Sequence, residues 1–93
     1  MKKLTTEFNT ATVKKGDTFQ VDLIGGGFVG EAWNAEVTSG KATLLSTDYD
    51  TNKSIGCGLV TEKRVFRADE AGEIEITAKS KWNGTHIFKV RVN

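Results

Sequence analysis

Apolar and polar residues alternate along most of this chain, and that period of two limits its possible folds more than any other feature. Thr18 to Ile24 sets Phe19, Val21 and Leu23 on one face and Gln20 and Asp22 on the other. Glu31 to Val37 repeats the pattern, with Trp33, Ala35 and Val37 against Asn34 and Glu36. Glu73 to Lys79 sets Ile74, Ile76 and Ala78 against Glu73, Glu75 and Thr77, and His86 to Val92 carries Phe88, Val90 and Val92 on one side. Successive side chains of a strand point to opposite faces, so each segment reads as a half-buried strand of an antiparallel sheet. No window sustains the 3.6-residue period of a helix.

The remaining segments fit the same scheme. Lys41 to Thr47 reads as a strand carrying Leu44 and Leu45, and Leu59 to Ala68 as a strand with Val65 and Phe66 as core contributors. Leu4 to Phe8 and Ala11 to Lys14 read as one strand broken at Asn9-Thr10. Asp48 to Gly58 is polar and rich in turn residues, so it reads as a long loop. The chain has no proline, and its turns at Lys15-Gly16-Asp17, Thr38-Ser39-Gly40, Asp69 to Gly72 and Asn83-Gly84 rely on Gly, Asn, Asp and Ser. The sum predicts an all-β, immunoglobulin-like antiparallel β-sandwich of about seven strands with Greek-key connections. Trp33, opening the third strand, fits the core tryptophan of such sandwiches. Cys57 is the only cysteine, so no disulfide forms within the chain.

The chain's 93 residues suit a single domain over 1–93. The 13 basic and 12 acidic residues leave a net charge of +1 and are interspersed. A nucleic-acid surface needs a one-signed basic face, so that partner class is not expected. No apolar run is long enough to span a bilayer. Met1-Lys2-Lys3 resembles the start of a signal peptide, but Leu4 leads directly into Thr5, Thr6 and Glu7. The expected location is cytoplasmic for the chain as written, or periplasmic or secreted if a leader was removed. A lone cysteine fits a reducing compartment slightly better.

If successive strands run in opposite directions, their connections alternate between two ends. The short polar turns at 15–17, 38–40 and 69–72 fall at one end. The loops at Gly25 to Gly30, Asp48 to Leu59 and Ser80 to Thr85 fall at the other, with Phe28, Val29, Tyr49, Ile55, Cys57, Leu59 and Trp82. Function concentrates on loops held by a rigid scaffold, and aromatic anchors dominate binding energy. Gly25-Gly26-Gly27 could be a plain flexible connection. Phe28 and Val29 at the loop apex favour a contact loop, since they would otherwise be exposed without reason. A phosphate cradle would need a helix N-terminus after the glycines and a Lys-Ser/Thr pair, and the sequence has neither. Trp33 reads as core. Trp82 either packs down on Phe28 or contacts a partner, and contact is favoured.

Catalysis and metal binding fare worse. A nucleophilic Cys57 needs a neighbouring base. His86, the only histidine, starts the last strand at the same end, but no third orienting group or oxyanion helix accompanies the pair. The protein is therefore not expected to be an enzyme. One histidine and one cysteine fall short of a zinc site. Asp48, Asp50 and Asn52 have the spacing of a calcium loop without its glycine and distal glutamate, so a solvated turn is expected. No metal or cofactor is anticipated.

Four short motifs recur in a known order: Gly30-Glu31-Ala32-Trp33, then Gly56-Cys57-Gly58 followed by Thr61-Glu62, the Ala71-Gly72 corner, and Lys81-Trp82-Asn83-Gly84. In order and spacing the chain, from about Gly16 to Val92, resembles the chagasin family of cysteine-peptidase inhibitors. The resemblance implies an immunoglobulin-like sandwich with three loops at one end that occlude the cleft of a papain-like enzyme. The family's first loop reads Asn-Pro-Thr-Thr-Gly before an aromatic-Ala-Trp, its second Gly-x-Gly-Gly and its third Arg-Pro-Trp. Gly30, Gly56, Gly58 and Trp82 match. Gly26-Gly27-Phe28-Val29 replaces Asn-Pro-Thr-Thr, Leu59 replaces the second loop's last glycine, and Ser80-Lys81 replaces Arg-Pro. The partner-binding set expected on these loops is Gly26, Gly27, Phe28, Val29, Gly30, Gly56, Cys57, Gly58, Leu59, Lys81 and Trp82. The chain is expected to act as a monomer. The other reading is a non-inhibitory immunoglobulin-like interaction or assembly module, of a virion or cell surface, with diverged loops.

Overall fold

The computed structural model describes residues 1–26, 33–51, 59–80 and 84–93. Among them are eight strands: β1 (Lys2–Leu4), β2 (Thr10–Val13), β3 (Thr18–Gly26), β4 (Asn34–Ser39), β5 (Ala42–Thr51), β6 (Leu59–Ala68), β7 (Gly72–Ser80) and β8 (Gly84–Val92). They form two four-stranded sheets, ordered β1-β3-β6-β5 and β2-β8-β7-β4. This is an all-β sandwich, and the alternation is the reason for it. Phe19, Val21 and Leu23 of β3 face Ile74, Ile76 and Ala78 of β7 and Phe88, Val90 and Val92 of β8 across one core, all nearly or fully buried. Phe19 and Phe66 are cross-strand partners whose rings stack with centroids 5.6 Å apart. Ala35 and Val37 pack against the core, while Asn34 and Glu36 are exposed, as the alternation requires.

The strand count exceeds the expected seven because the first strand divides between the sheets. β1 pairs parallel with β3, and β2 pairs parallel with β8, so the sheets are mixed rather than purely antiparallel. Leu4 enters the core from one sheet and Val13 from the other. Residues 5–9 cross between them, held by Thr5 N–H donating to Phe8 O at 3.0 Å and Lys89 N–H donating to Asn9 O at 2.8 Å.

Other expectations are corrected too: β4 takes in Thr38 and Ser39 of the expected turn, and β8 begins at Gly84 rather than His86. β3 runs two residues past Ile24, because Gly25 and Gly26 pair with Val60 and Leu59. β5 continues through Asp48 to Thr51, so the expected loop over Asp48 to Gly58 begins later. Asp48 lies opposite Lys63 and Asp50 opposite Thr61, and ladder pairing overrides the poor strand propensity of aspartate. Val65 and Phe66 cannot both face the core, since neighbours on a strand point apart. Phe66 is buried and Val65 is half-buried on the outer face.

One end of the sandwich is closely tied. Gly16 N–H donates to Ala68 O at 2.7 Å, Ala68 N–H to Asp17 O at 2.9 Å and Asp69 N–H to Lys41 O at 3.1 Å. Asp69 also accepts from the Thr43 hydroxyl at 2.5 Å and from Arg67 Nε at 2.8 Å. These two donors, the Thr43 hydroxyl first, hold the Asp69 carboxyl below its usual 3.8. Gly40 has φ 76°, and a Cβ there would stand 2.5 Å from Glu73 O and 3.0 Å from Ile74 Cα. Only glycine fits both the left-handed backbone and the close approach.

Candidate functional site

Register fixes where the remaining connections depart. Gly26, which ends β3, lies opposite Leu59, which begins β6. Thr51, which ends β5, lies opposite Val60. In the second sheet Ser80 lies opposite Gly84, and Asn34, which begins β4, lies opposite Lys79. The strand ends that flank segments 27–33, 52–58 and 81–83 therefore gather at the end opposite the tied one. The first of these segments leaves one sheet and enters the other.

Gly26 and Leu59 thus stand side by side on the backbone. Gly27, Phe28, Val29, Gly30, Gly56, Cys57, Gly58, Lys81 and Trp82 lie outside the described residues, as does any pairing of Cys57 with His86. Trp33 is in the core, 5% exposed, with its ring tilted against that of His86 at 5.6 Å. Asp48 and Asp50 occupy strand positions in β5 rather than a turn, and Asn52 lies outside the described residues. Among the described residues, no three of His, Cys, Asp or Glu gather as a metal-binding group.

The layer beneath these connections holds a feature missed by the sequence reading. Glu62 and Arg64 of β6 point inward, where the alternation continues to Phe66 and Ala68. The Glu62 side chain is 3% exposed and that of Arg64 15%. Arg64 Nε donates to Glu62 Oε2 at 2.7 Å. Its other two nitrogens reach across to the second sheet. Nη2 donates to Trp33 O at 2.9 Å, and Nη1 makes a longer 3.5 Å contact with Ala35 O. β4 is an edge strand, so alternate main-chain carbonyls face away from β7. The guanidinium fork reaches one of these, that of Ala35, and the Trp33 carbonyl just before the strand, and Glu62 holds the fork in place.

The pair is not saturated. Glu62 Oε1, a buried acceptor, and Trp33 Nε1, a buried donor, have no hydrogen-bond partner among the described residues. Removing one member of such a pair leaves a buried charge and costs about 3–5 kcal/mol. The signal that could have located it was parity: counting back by twos from Phe66 reaches Arg64 and Glu62.

The sandwich recurs in solved structures. The cysteine protease inhibitor EhICP2 from Entamoeba histolytica superposes with a TM-score of 0.80, at 17% identity, over 99% of this chain and 95% of that one. This chain has that inhibitor's fold. Amebosin superposes with a TM-score of 0.71, at 23% identity, over 98% of this chain and 96% of its own. No family model and no curated protein matches the sequence. At these identities the likeness is one of fold, and the resemblance to chagasin-type inhibitors read from the sequence is met at that level.

Proposed function

We propose that this chain is a chagasin-type inhibitor that occludes the cleft of a papain-like cysteine peptidase. The observation that carries the reading is the gathering of the strand ends flanking 27–33, 52–58 and 81–83 at one end of the sandwich. Those segments hold the residues that match the family, Gly30, Gly56, Gly58 and Trp82. The fold shared with a cysteine protease inhibitor supports it further. Occlusion asks no chemistry of the inhibitor. Phe28 and Trp82 act as apolar anchors, and the glycines let the loop backbone approach the enzyme closely. The scaffold limits the entropy lost when the loops dock.

Titration into papain and a cathepsin-L-type enzyme, followed by hydrolysis of a fluorogenic peptide, tests this directly. Inhibition at nanomolar to micromolar concentration is expected. Trp82→Ala should weaken it by at least tenfold, on the order of the 1–2 kcal/mol lost at an interface anchor. No inhibition at tens of micromolar would overturn the reading and favour an interaction module on the same scaffold.

A further inference from the structure

We propose that the Glu62–Arg64 pair is a positioning device: it clamps the return arm of the first loop, Trp33 to Ala35, to the opposite sheet. This rests on the inhibitor reading only for its effect on inhibition. The loop leaves the first sheet at Gly26 and joins the second at Asn34. Among the described residues no strand ladder links the two sheets, so there the relative position of the loop's two roots is left to contacts between the layers. Leu23 and Ala78 can pack there, but apolar contact is non-directional and tolerates sliding. Arg64 supplies direction, because one arm of its planar fork donates to the Trp33 carbonyl just before β4 and the other makes the longer contact with the Ala35 carbonyl in β4, while its Nε is fixed by Glu62.

The energetics point the same way. A buried ion pair with a carboxylate oxygen unpartnered among the described residues is a poor stabiliser, and well-packed apolar residues of similar volume often serve a core as well or better. What apolar residues cannot do is grip the free edge of β4. The pair is placed for geometry more than for stability, one layer below the strand ends that carry the loops.

The test uses the full chain with Glu62→Leu and Arg64→Met combined, which replaces the pair by apolar groups, and with Arg64→Lys, which keeps the charge but not the fork. Two quantities are read in each folded variant: amide hydrogen exchange of Asn34 to Ser39, with β8 as internal reference, and the inhibition constant against papain. The clamp predicts exchange in β4 at least tenfold faster relative to β8, and inhibition at least tenfold weaker, with the melting temperature of the double variant nearly unchanged. Should the double variant fail to fold, Arg64→Lys carries the same two expectations. Unchanged β4 exchange in a folded variant would overturn the clamp, whatever happens to inhibition. Faster exchange with unchanged inhibition would overturn its positioning role. Faster exchange in a protein whose parent does not inhibit at all would support the clamp and sink the inhibitor reading instead.

Discussion

The two ends of this sandwich are held by different means. The tied end uses main-chain hydrogen bonds among its turns, such as Gly16 to Ala68 and Asp69 to Lys41, with a glycine that admits no side chain. The other end has long ladders running up to the roots of three connections and, among the described residues, a buried charge pair beneath them whose arginine reaches across the layers. One end is fixed by several main-chain bonds of modest individual strength that join distant parts of the chain. At the other, the Arg64 side chain reaches across the layers to the carbonyls of Trp33 and Ala35. A scaffold that presents loops gains from this division: closing one end firmly frees the other to vary in sequence while its roots stay in register.

The sharpest way to break the contrast is to remove one half of the charge pair. Arg64→Ala leaves Glu62 buried and unpaired, and about 3–5 kcal/mol of stability should be lost in chemical denaturation. If the loss is below about 1 kcal/mol, as for an exposed pair, the loop end does not depend on this contact. At the tied end the largest effect is expected from Gly40→Ala, which forces a Cβ against Glu73 O and strains a left-handed backbone. A loss on the order of 2 kcal/mol should appear as a lower denaturation midpoint. Inhibition per folded molecule should be unchanged, since the change lies far from the loop roots. Weakened inhibition in the folded Gly40→Ala protein would mean the ends are coupled.

The smallest effect concerns pH. Asp69 titrates below its usual 3.8 in the folded protein because the Thr43 hydroxyl and Arg67 favour its charged form. A depressed carboxyl contributes stability that is present above 3.8 and is lost as pH falls through the folded value. Asp69→Asn should therefore lower stability slightly at neutral pH and flatten the acid side of the melting-temperature profile below pH 4. Thr43→Val should act in the same direction through the larger of the two causes. A profile identical to the parent's would remove Asp69 from the account of the tied end.

The sequence made the core legible where burial follows strict alternation. Phe19, Val21 and Leu23, and likewise Ile74, Ile76 and Ala78, are separated by polar residues that leave no second choice of face. It was misleading where partners decide. Asp48 and Asp50 look like turn residues until β6 lies alongside them, and no local pattern announces that residues 5–9 carry the chain from one sheet to the other. Glu62 and Arg64 were hidden by their chemistry, because charged residues in a strand normally mark the wet face. Their inward parity was visible, but it gains meaning only with β4 carbonyls across the layer to receive the guanidinium. The expected loop residues were grouped by their glycines, their apolar apices and the order of their motifs, and of the expected contact set only Gly26 and Leu59 fall among the described residues.

The slip in β5 has a consequence beyond the domain. Its ladder with β6 shifts register between Leu44 and Ser46, and both Leu44 and Leu45 are close to half exposed on this outermost strand. An unbroken ten-residue strand carrying two leucines would be a template on which further chains could stack into fibrils. The irregularity at Leu45 breaks that template, and Asp48 brings negative charge to the same strand. The opposite margins of the two sheets are strands of only three and four residues, too short to recruit a neighbour. Of the four sheet margins, these devices leave β4, and there the Arg64 side chain reaches the Ala35 carbonyl from the core side.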